Sequence, residues 1–211
     1  MDEGEENAQE MFNALEQLES EPEQLESESK QLESESFGLA LEPEADKVES
    51  EALSRPGLVV TIQSVQFPNV FLRLDGNGVN SFNGAGVGKV NCQFGAGPYE
   101  KFILRPYAGD QYSIESLQFP NVYLRLDGGQ VTSFQGSGSG IVNGQFGAGP
   151  YERFVIRQEV DGQYSIQSVQ FPKAFLRVDG SNVQSFNGAG AGNVNAQYGV
   201  GPWEKFKITV L

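Results

Sequence analysis

Histidine is absent from the chain, and that absence removes the commonest general base, the imidazole-dependent hydrolase triads and most zinc sites. Cys92 is the lone cysteine, so no intrachain disulfide can form, which fits a reducing compartment. No stretch reaches the roughly 18 consecutive apolar residues of a membrane span. The opening Met1-Asp2-Glu3-Gly4-Glu5-Glu6 has the wrong charge for a signal peptide and lacks the Met-Gly start of a myristoylated chain. A cytoplasmic location is the expectation, although non-classical secretion would leave the same trace.

Basic residues are also scarce, 14 against 28 acidic ones, but the imbalance is confined to one end. Residues 1–57 hold 18 of the acidic residues and three basic ones, Lys30, Lys47 and Arg55, a balance of −15. Residues 58–211 carry 11 basic against 10 acidic residues. The low isoelectric point therefore describes the N-terminal segment, and the nearly neutral remainder lacks the clustered basic surface that nucleic acid requires.

The acidic segment contains a short repeat, Glu16–Pro22, Glu23–Ser29 and Lys30–Ser36. Its seven-residue period fills one apolar position per heptad (Leu18, Leu25, Leu32) where a coiled-coil seam needs two, and Pro22 interrupts it. Low hydrophobicity with high net charge predicts a disordered acidic tail over 1–57. A second reading is a short amphipathic helix over Ala8–Leu18, with Met11, Phe12, Leu15 and Leu18 on one face, that docks on a protein partner.

What the rest of the chain has in abundance is repetition. Phe67-Pro68, Phe119-Pro120 and Phe171-Pro172 recur at a spacing of 52 residues, as do Gly97–Phe102, Gly149–Phe154 and Gly201–Phe206. Such a period has to be explained before any other signal. Each unit reads as four short strands: in the third, Tyr164–Val169, Ala174–Asp179, Asn193–Tyr198 and Glu204–Val210 all alternate, with Phe-Pro, Asp-Gly and Gly-Pro turns between them. Three such units, at about 58–107, 108–159 and 160–211, are long enough to bury one shared core. Propellers usually need four or more blades. The expectation is an all-β domain over 58–211 resembling a β-trefoil, a threefold pseudosymmetric barrel capped by three hairpins.

Alternation also sorts the repeated residues. Val70, Leu72 and Leu74 share the face expected to point inward, with Val90 and Cys92, so Arg73, Asp75, Asn91 and Gln93 are expected to point outward. Cys92, replaced by Gly144 and Ala196 in the other units, reads as packing in a tight spot rather than as a nucleophile. The outward set recurs as Arg125, Asp127, Asn143 and Gln145, then as Arg177, Asp179, Asn195 and Gln197. Planar donors and acceptors beside Phe94, Phe146 and Tyr198 suit sugar hydroxyls and an apolar sugar face, giving one candidate glycan site per unit. The competing structural reading has Asp75-Gly76 forming a turn and Arg73 pairing with Glu100. The runs Gly84–Gly88, Gly136–Gly140 and Gly188–Gly192 lack the Gly-Lys-Ser/Thr ending of a phosphate loop and open no helix. Glu100, Glu152 and Glu204 could be offered as acids with the aspartates as partners, but each begins its strand as a structural residue would. Neither an enzyme, a cofactor nor a metal is expected.

The element Gly-Pro-Tyr/Trp-Glu-Lys/Arg-Phe, following Val-Asn-x-Gln and a glycine-rich turn, resembles the repeats of fascin-like trefoils, the actin cross-linkers. Ser64–Arg73 is similar to the sugar-binding trefoil of arabinofuranosidases. The Gln-x-Trp mark of ricin-type trefoils is absent. The resemblances cover residues 58–211 and imply a trefoil that binds either a glycan or F-actin. The leading expectation is a non-catalytic, lectin-like module with up to three equivalent sites. The alternatives are an actin-binding or cross-linking protein, and a scaffold for an acidic interaction tail.

Overall fold

The computed structural model describes Asn13 and residues 57–211. The acidic tail and, apart from Asn13, the Ala8–Leu18 helix lie outside the described residues. Twelve strands follow in groups of four: β1 (Leu58–Ser64), β2 (Val70–Asp75), β3 (Lys89–Phe94) and β4 (Lys101–Pro106); β5 (Gln111–Ser116), β6 (Val122–Asp127), β7 (Gly140–Phe146) and β8 (Arg153–Gln158); β9 (Tyr164–Ser168), β10 (Ala174–Asp179), β11 (Asn193–Tyr198) and β12 (Phe206–Val210).

Their pairing closes a ring. The first and last strands of each unit run antiparallel in the order β1, β4, β5, β8, β9, β12 and back to β1. Closure leaves that barrel without an exposed edge. The middle strands form the hairpins β2–β3, β6–β7 and β10–β11, which meet over one end, Gly88 against Gly144 and Ala196 against Gly140. This is a β-trefoil. Among the described residues no helix is long and apolar enough to cross a membrane.

The repeat in sequence becomes layers in the core. Phe102, Phe154 and Phe206 are fully buried, as are Ile62, Ile114 and Ile166, and above them Leu72, Leu124 and Leu176. Each side chain of this kind contributes about 1.5–3 kcal/mol on leaving water. Because β4 pairs with β5 and β12 with β1, no unit completes its own barrel. The turn after each first strand is built alike. The Phe67, Phe119 and Phe171 N–H groups donate to Ser64, Ser116 and Ser168 Oγ, all at 3.2 Å. The three rings then pack edge-to-face on Trp203, Tyr99 and Tyr151 of the preceding unit.

The start of each unit's last strand differs from expectation. Glu204 does not begin a strand: Pro202–Glu204 is a single 3-10 turn, and so are Pro98–Glu100 and Pro150–Glu152. In each, the glutamate Oε2 folds back to accept the N–H of the glycine three residues earlier, at 2.7 Å. Proline at the first position and this return hydrogen bond stabilise a turn that polar/apolar alternation alone cannot distinguish from strand.

Cys92 lies where two hairpins meet, fully buried, its Sγ 3.5 Å from the Asp179 carbonyl. A Cβ added to Gly192 of the third unit would fall on that sulfur, and one added to Gly88 would come within 2.8 Å of Gly144 Cα. The small residues at these positions are therefore a packing requirement. Burial, reinforced by the charge of Asp179, pushes the Cys92 thiol up to about 12. Native protein at pH 8 is expected to leave it unmodified by Ellman's reagent over hours, with stoichiometric release of thionitrobenzoate on denaturation; rapid native release would place the thiol at the surface.

Candidate functional site

The residues expected to face solvent do not. Arg73, Arg125 and Arg177 are 2–4% exposed, Gln93, Gln145 and Gln197 at most 1%, and Asn91 5%. The alternation was sound, since Leu72 and Arg73 occupy opposite faces of β2, but the second face is covered too. The cover is the glycine-rich loop of the neighbouring unit. Asn187 N–H donates to Gln93 Oε1 at 3.3 Å, Asn91 Nδ2 donates to the Ala189 carbonyl at 2.8 Å, and Arg73 Nη2 donates to the Gly188 carbonyl at 3.1 Å.

The same latch recurs around the axis. Asn83 N–H reaches Gln145 Oε1 and Asn143 Nδ2 reaches the Ala85 carbonyl; Gln135 N–H reaches Gln197 Oε1, Asn195 Nδ2 the Ser137 carbonyl and Arg177 Nη2 the Gly136 carbonyl. Gly86, Gly138 and Gly190 have φ of 74, 74 and 72°, and a Cβ on any of them would overlap the clamping Asn143, Asn195 or Asn91. Positive φ and a close approach together require glycine here.

Each arginine also closes its own unit. Arg73 Nη2 lies 3.2 Å from Asp75 Oδ2, its Nε lies 3.6 Å from Glu100 Oε1, and its guanidinium stands 4.7 Å over the Tyr99 ring. Arg125 meets Asp127, Glu152 and Tyr151 in the same way, and Arg177 meets Asp179, Glu204 and Trp203. The structural alternative, an arginine tied to the glutamate, is therefore present in all three units. The three glutamates are 2–3% exposed. Burial pushes their pKa up, partly opposed by the glycine N–H and then by the arginine.

Of the expected site, solvent reaches Asn143 and Asn195 in part, and the aspartates, whose side chains are 27–33% exposed. Each holds a tight turn through Oδ1, which accepts the N–H of Asn77, Gly129 or Ser181. Phe94, Phe146 and Tyr198 are not outward platforms: they share strand parity with Val90 and Cys92, and pack partly buried against the core.

The exposed aromatics are three others. Phe82, Phe134 and Phe186, again 52 residues apart, are 65, 67 and 61% exposed at the start of the latched loops. The Phe186 ring passes over Gly97 of the first unit, about 3.8 Å from where a Cβ there would stand. It thus sits at the seam between units, near Asn187 and Gly188, whose backbone is held by Gln93 and Arg73. The signal was available in sequence, a phenylalanine repeated three times in a segment of serine, asparagine and glycine with no strand alternation to bury it. The arrangement presents, three times, an apolar ring with backbone amides and a half-exposed carboxylate on rigidly held loops.

No protein-family model matches the chain, and no curated protein does. Solved structures do. A lectin of Polyporus squamosus aligns at 18% identity with a TM-score of 0.54, over 74% of this chain and 50% of that one. The Rhizoctonia solani agglutinin aligns at 17% identity and 0.54, over 75% and 98%, and ThreeFoil, a designed threefold symmetric protein, at 13% and 0.53, over 72% and 99%. The chain spans about half the length of the Polyporus lectin and 17% of a mosquitocidal holotoxin that it also matches. At these identities the likeness shows the fold alone.

Two outcomes follow from the latch. Gly190→Ala is expected to cost about 1–3 kcal/mol in chemical denaturation, the strain of an alanine at positive φ. A loss below half a kcal/mol would mean that the loop is free to move off Asn91. The glutamates govern pH dependence. Their folded pKa lies above the ordinary 4.5, so the folded state binds the proton more tightly, and their contribution to stability is full below pH 4.5 and lost as pH rises through the shifted value. Glu100→Gln with Glu152→Gln and Glu204→Gln keeps an acceptor for the glycine N–H. The stability of wild type relative to this variant should therefore fall from pH 4.5 upward; a difference independent of pH would show that these carboxyls titrate normally.

Proposed function

We propose that the protein is a non-catalytic carbohydrate-binding module with three equivalent sites, one at each seam, where Phe82, Phe134 and Phe186 stack on sugar rings. The observation that carries this reading is that three aromatic rings, repeated at one spacing, stay more than 60% exposed on loops held in place by buried clamps. An exposed aromatic ring gains nothing for folding, whereas its flat face is suited to stack on the apolar C–H face of a sugar. The part-exposed carboxylates of Asp75, Asp127 and Asp179 can accept from sugar hydroxyls. The lectin of Polyporus squamosus, similar in fold, is described bound to Neu5Aca2-6Galb1-4GlcNAc, which favours a glycan over other ligand classes for this trefoil.

Arg73, Asn91 and Gln93, with Asn143, Gln145, Arg177, Asn195 and Gln197, position the loops in this reading, and Arg125 closes its own unit. Phe94, Phe146 and Tyr198 support them from below. The glutamates have no catalytic part, each being held between an arginine and a glycine N–H. Single sites of this kind are weak. Three on one rigid face gain about 10²–10⁴-fold on a surface that repeats its sugar.

A glycan array probed with the full chain is expected to show binding that depends on ligand density. Phe82→Ala with Phe134→Ala and Phe186→Ala should abolish it, while moving the unfolding midpoint little, since exposed substitutions usually stay within about ±0.5 kcal/mol each. Binding retained in the triple variant, or pelleting with F-actin and an empty array, would overturn the assignment.

A further inference from the structure

The three units are not equivalent everywhere. Where the first and third carry Gln63 and Gln167, Phe71 and Phe175, Lys101 and Lys205, the second carries Glu115, Tyr123 and Arg153. These departures gather in one place. Tyr123 and Arg153 line a cavity of about 170 Å³ together with Tyr107, Ser113, Asn121 and Ala148, at the end of the barrel wall beneath the second hairpin. Glu115 stands opposite Tyr123 in the β5–β6 register.

The cavity is built by those changes. The Arg153 guanidinium stacks 3.8 Å over the Tyr107 ring, making one flat wall. Glu115, 4% exposed, accepts from Arg105 Nε at 2.7 Å and from the Asn121 N–H at 2.8 Å, which ties Asn121 on the cavity rim to the barrel wall. Burial and then the Glu115 charge push the Tyr123 phenol up, so it stays a neutral hydroxyl. In the third unit the equivalents of Tyr107, Asn121 and Ala148 are Glu159, Lys173 and Val200, and Ser165 is tied to Glu159 at 2.7 Å.

We infer that this cavity is a fourth, non-equivalent site that takes a single sugar residue. At about 170 Å³, below the roughly 300–1,000 Å³ of sites that hold drug-sized ligands, the cavity suits a single ring and not an oligosaccharide. Aromatic walls with a few short uncharged partners, the Asn121 amide and the Ser113 and Tyr123 hydroxyls, are the combination that recognises a sugar's apolar face and its vicinal hydroxyls. The site rests on the carbohydrate reading for its ligand class but shares no residue with the Phe82, Phe134 and Phe186 loops, so it can be tested apart from them.

Two-dimensional amide NMR of the full chain, titrated to millimolar concentrations with the methyl glycosides of glucose, galactose, mannose and N-acetylglucosamine, tests it. At least one glycoside should shift the signals of Asn121, Gly147 and Ala148 saturably, with the same Kd in the protein bearing Phe82→Ala, Phe134→Ala and Phe186→Ala. Glu115→Gln, Tyr123→Phe and Arg153→Lys, which restore the residues of the other two units and so should fold, are expected to weaken that binding at least tenfold. Absence of saturable shifts with all four glycosides, shifts at these residues that vanish in the phenylalanine variant, or binding that survives the restoration would each overturn the proposal. A negative glycan array with the Asn121 shifts intact would instead sink only the seam sites.

Discussion

A buried guanidinium cannot be left alone, and each unit surrounds it with two carboxylates and an aromatic ring of its own, to which the first and third units add a carbonyl from a neighbour. Arg73 is held by Asp75 on its own strand, Glu100 from the next turn, the Tyr99 ring and the Gly188 carbonyl of another unit. Taking such a charge from water costs several kcal/mol, and attraction to a carboxylate 3.6 Å away offsets that cost only with further hydrogen bonds. The contacts to the neighbouring loop come from Arg73 and Arg177 in two units and from the Asn and Gln side chains in all three. They make the glycine-rich loop a fixed part of the fold, and they make each unit depend on the unit beside it.

How far the sequence disclosed this depends on which neighbours decide each feature. Strand positions follow from alternation and turn chemistry, both local, and Ala174–Asp179 and Asn193–Tyr198 were legible to the residue. The glycine positions Gly76, Gly128 and Gly180 were legible as turns, but their deeper cause was not: a Cβ there would strike Phe119, Phe171 or Phe67 of the next unit. Arg73 shows the limit most clearly. Parity places it opposite Leu72, but whether that face meets water is decided by residues 186–192, more than a hundred positions away. For Phe94 parity itself held the answer, since it shares the face of Cys92. The exposed Phe82, Phe134 and Phe186 were visible as a repeat, and what alternation could not supply was the fact that nothing covers them.

The latch also assigns roles within the repeated set. Repetition alone cannot separate binding residues from structural ones, because duplication copies both. Burial can. The arginines and glutamines at 0–4% exposure, with Asn91 at 5%, spend their hydrogen-bonding capacity on the protein, leaving little to offer a ligand, whereas the phenylalanine two to six residues upstream of the latched glycines spends nothing. The loop is thus rigid at its base and apolar at its exposed start, a combination that lowers the ordering cost of binding.

Threefold symmetry and its local failure then make different demands on a ligand. Three identical seams around one axis are weak individually and strong only against something that repeats, because linked sites gain from effective concentration rather than from new contacts. A cavity present in one unit gains nothing from repetition; it has to hold its ligand by enclosure and by its own hydrogen bonds. The second unit keeps the Asn and Gln contacts of the latch, with Gln145 accepting from Asn83 N–H and Asn143 on the Ala85 carbonyl, and the ion pairs of Arg125 with Asp127 and Glu152, while changing the wall around Tyr123. That wall lies on the barrel side of the hairpin and itself joins the second unit to the first, through Glu115 on Arg105 and Arg153 on Tyr107, but it shares no residue with the latch. It is the part of the repeat that can diverge without loosening the frame, and a site of its own could arise there while the three seams stayed alike.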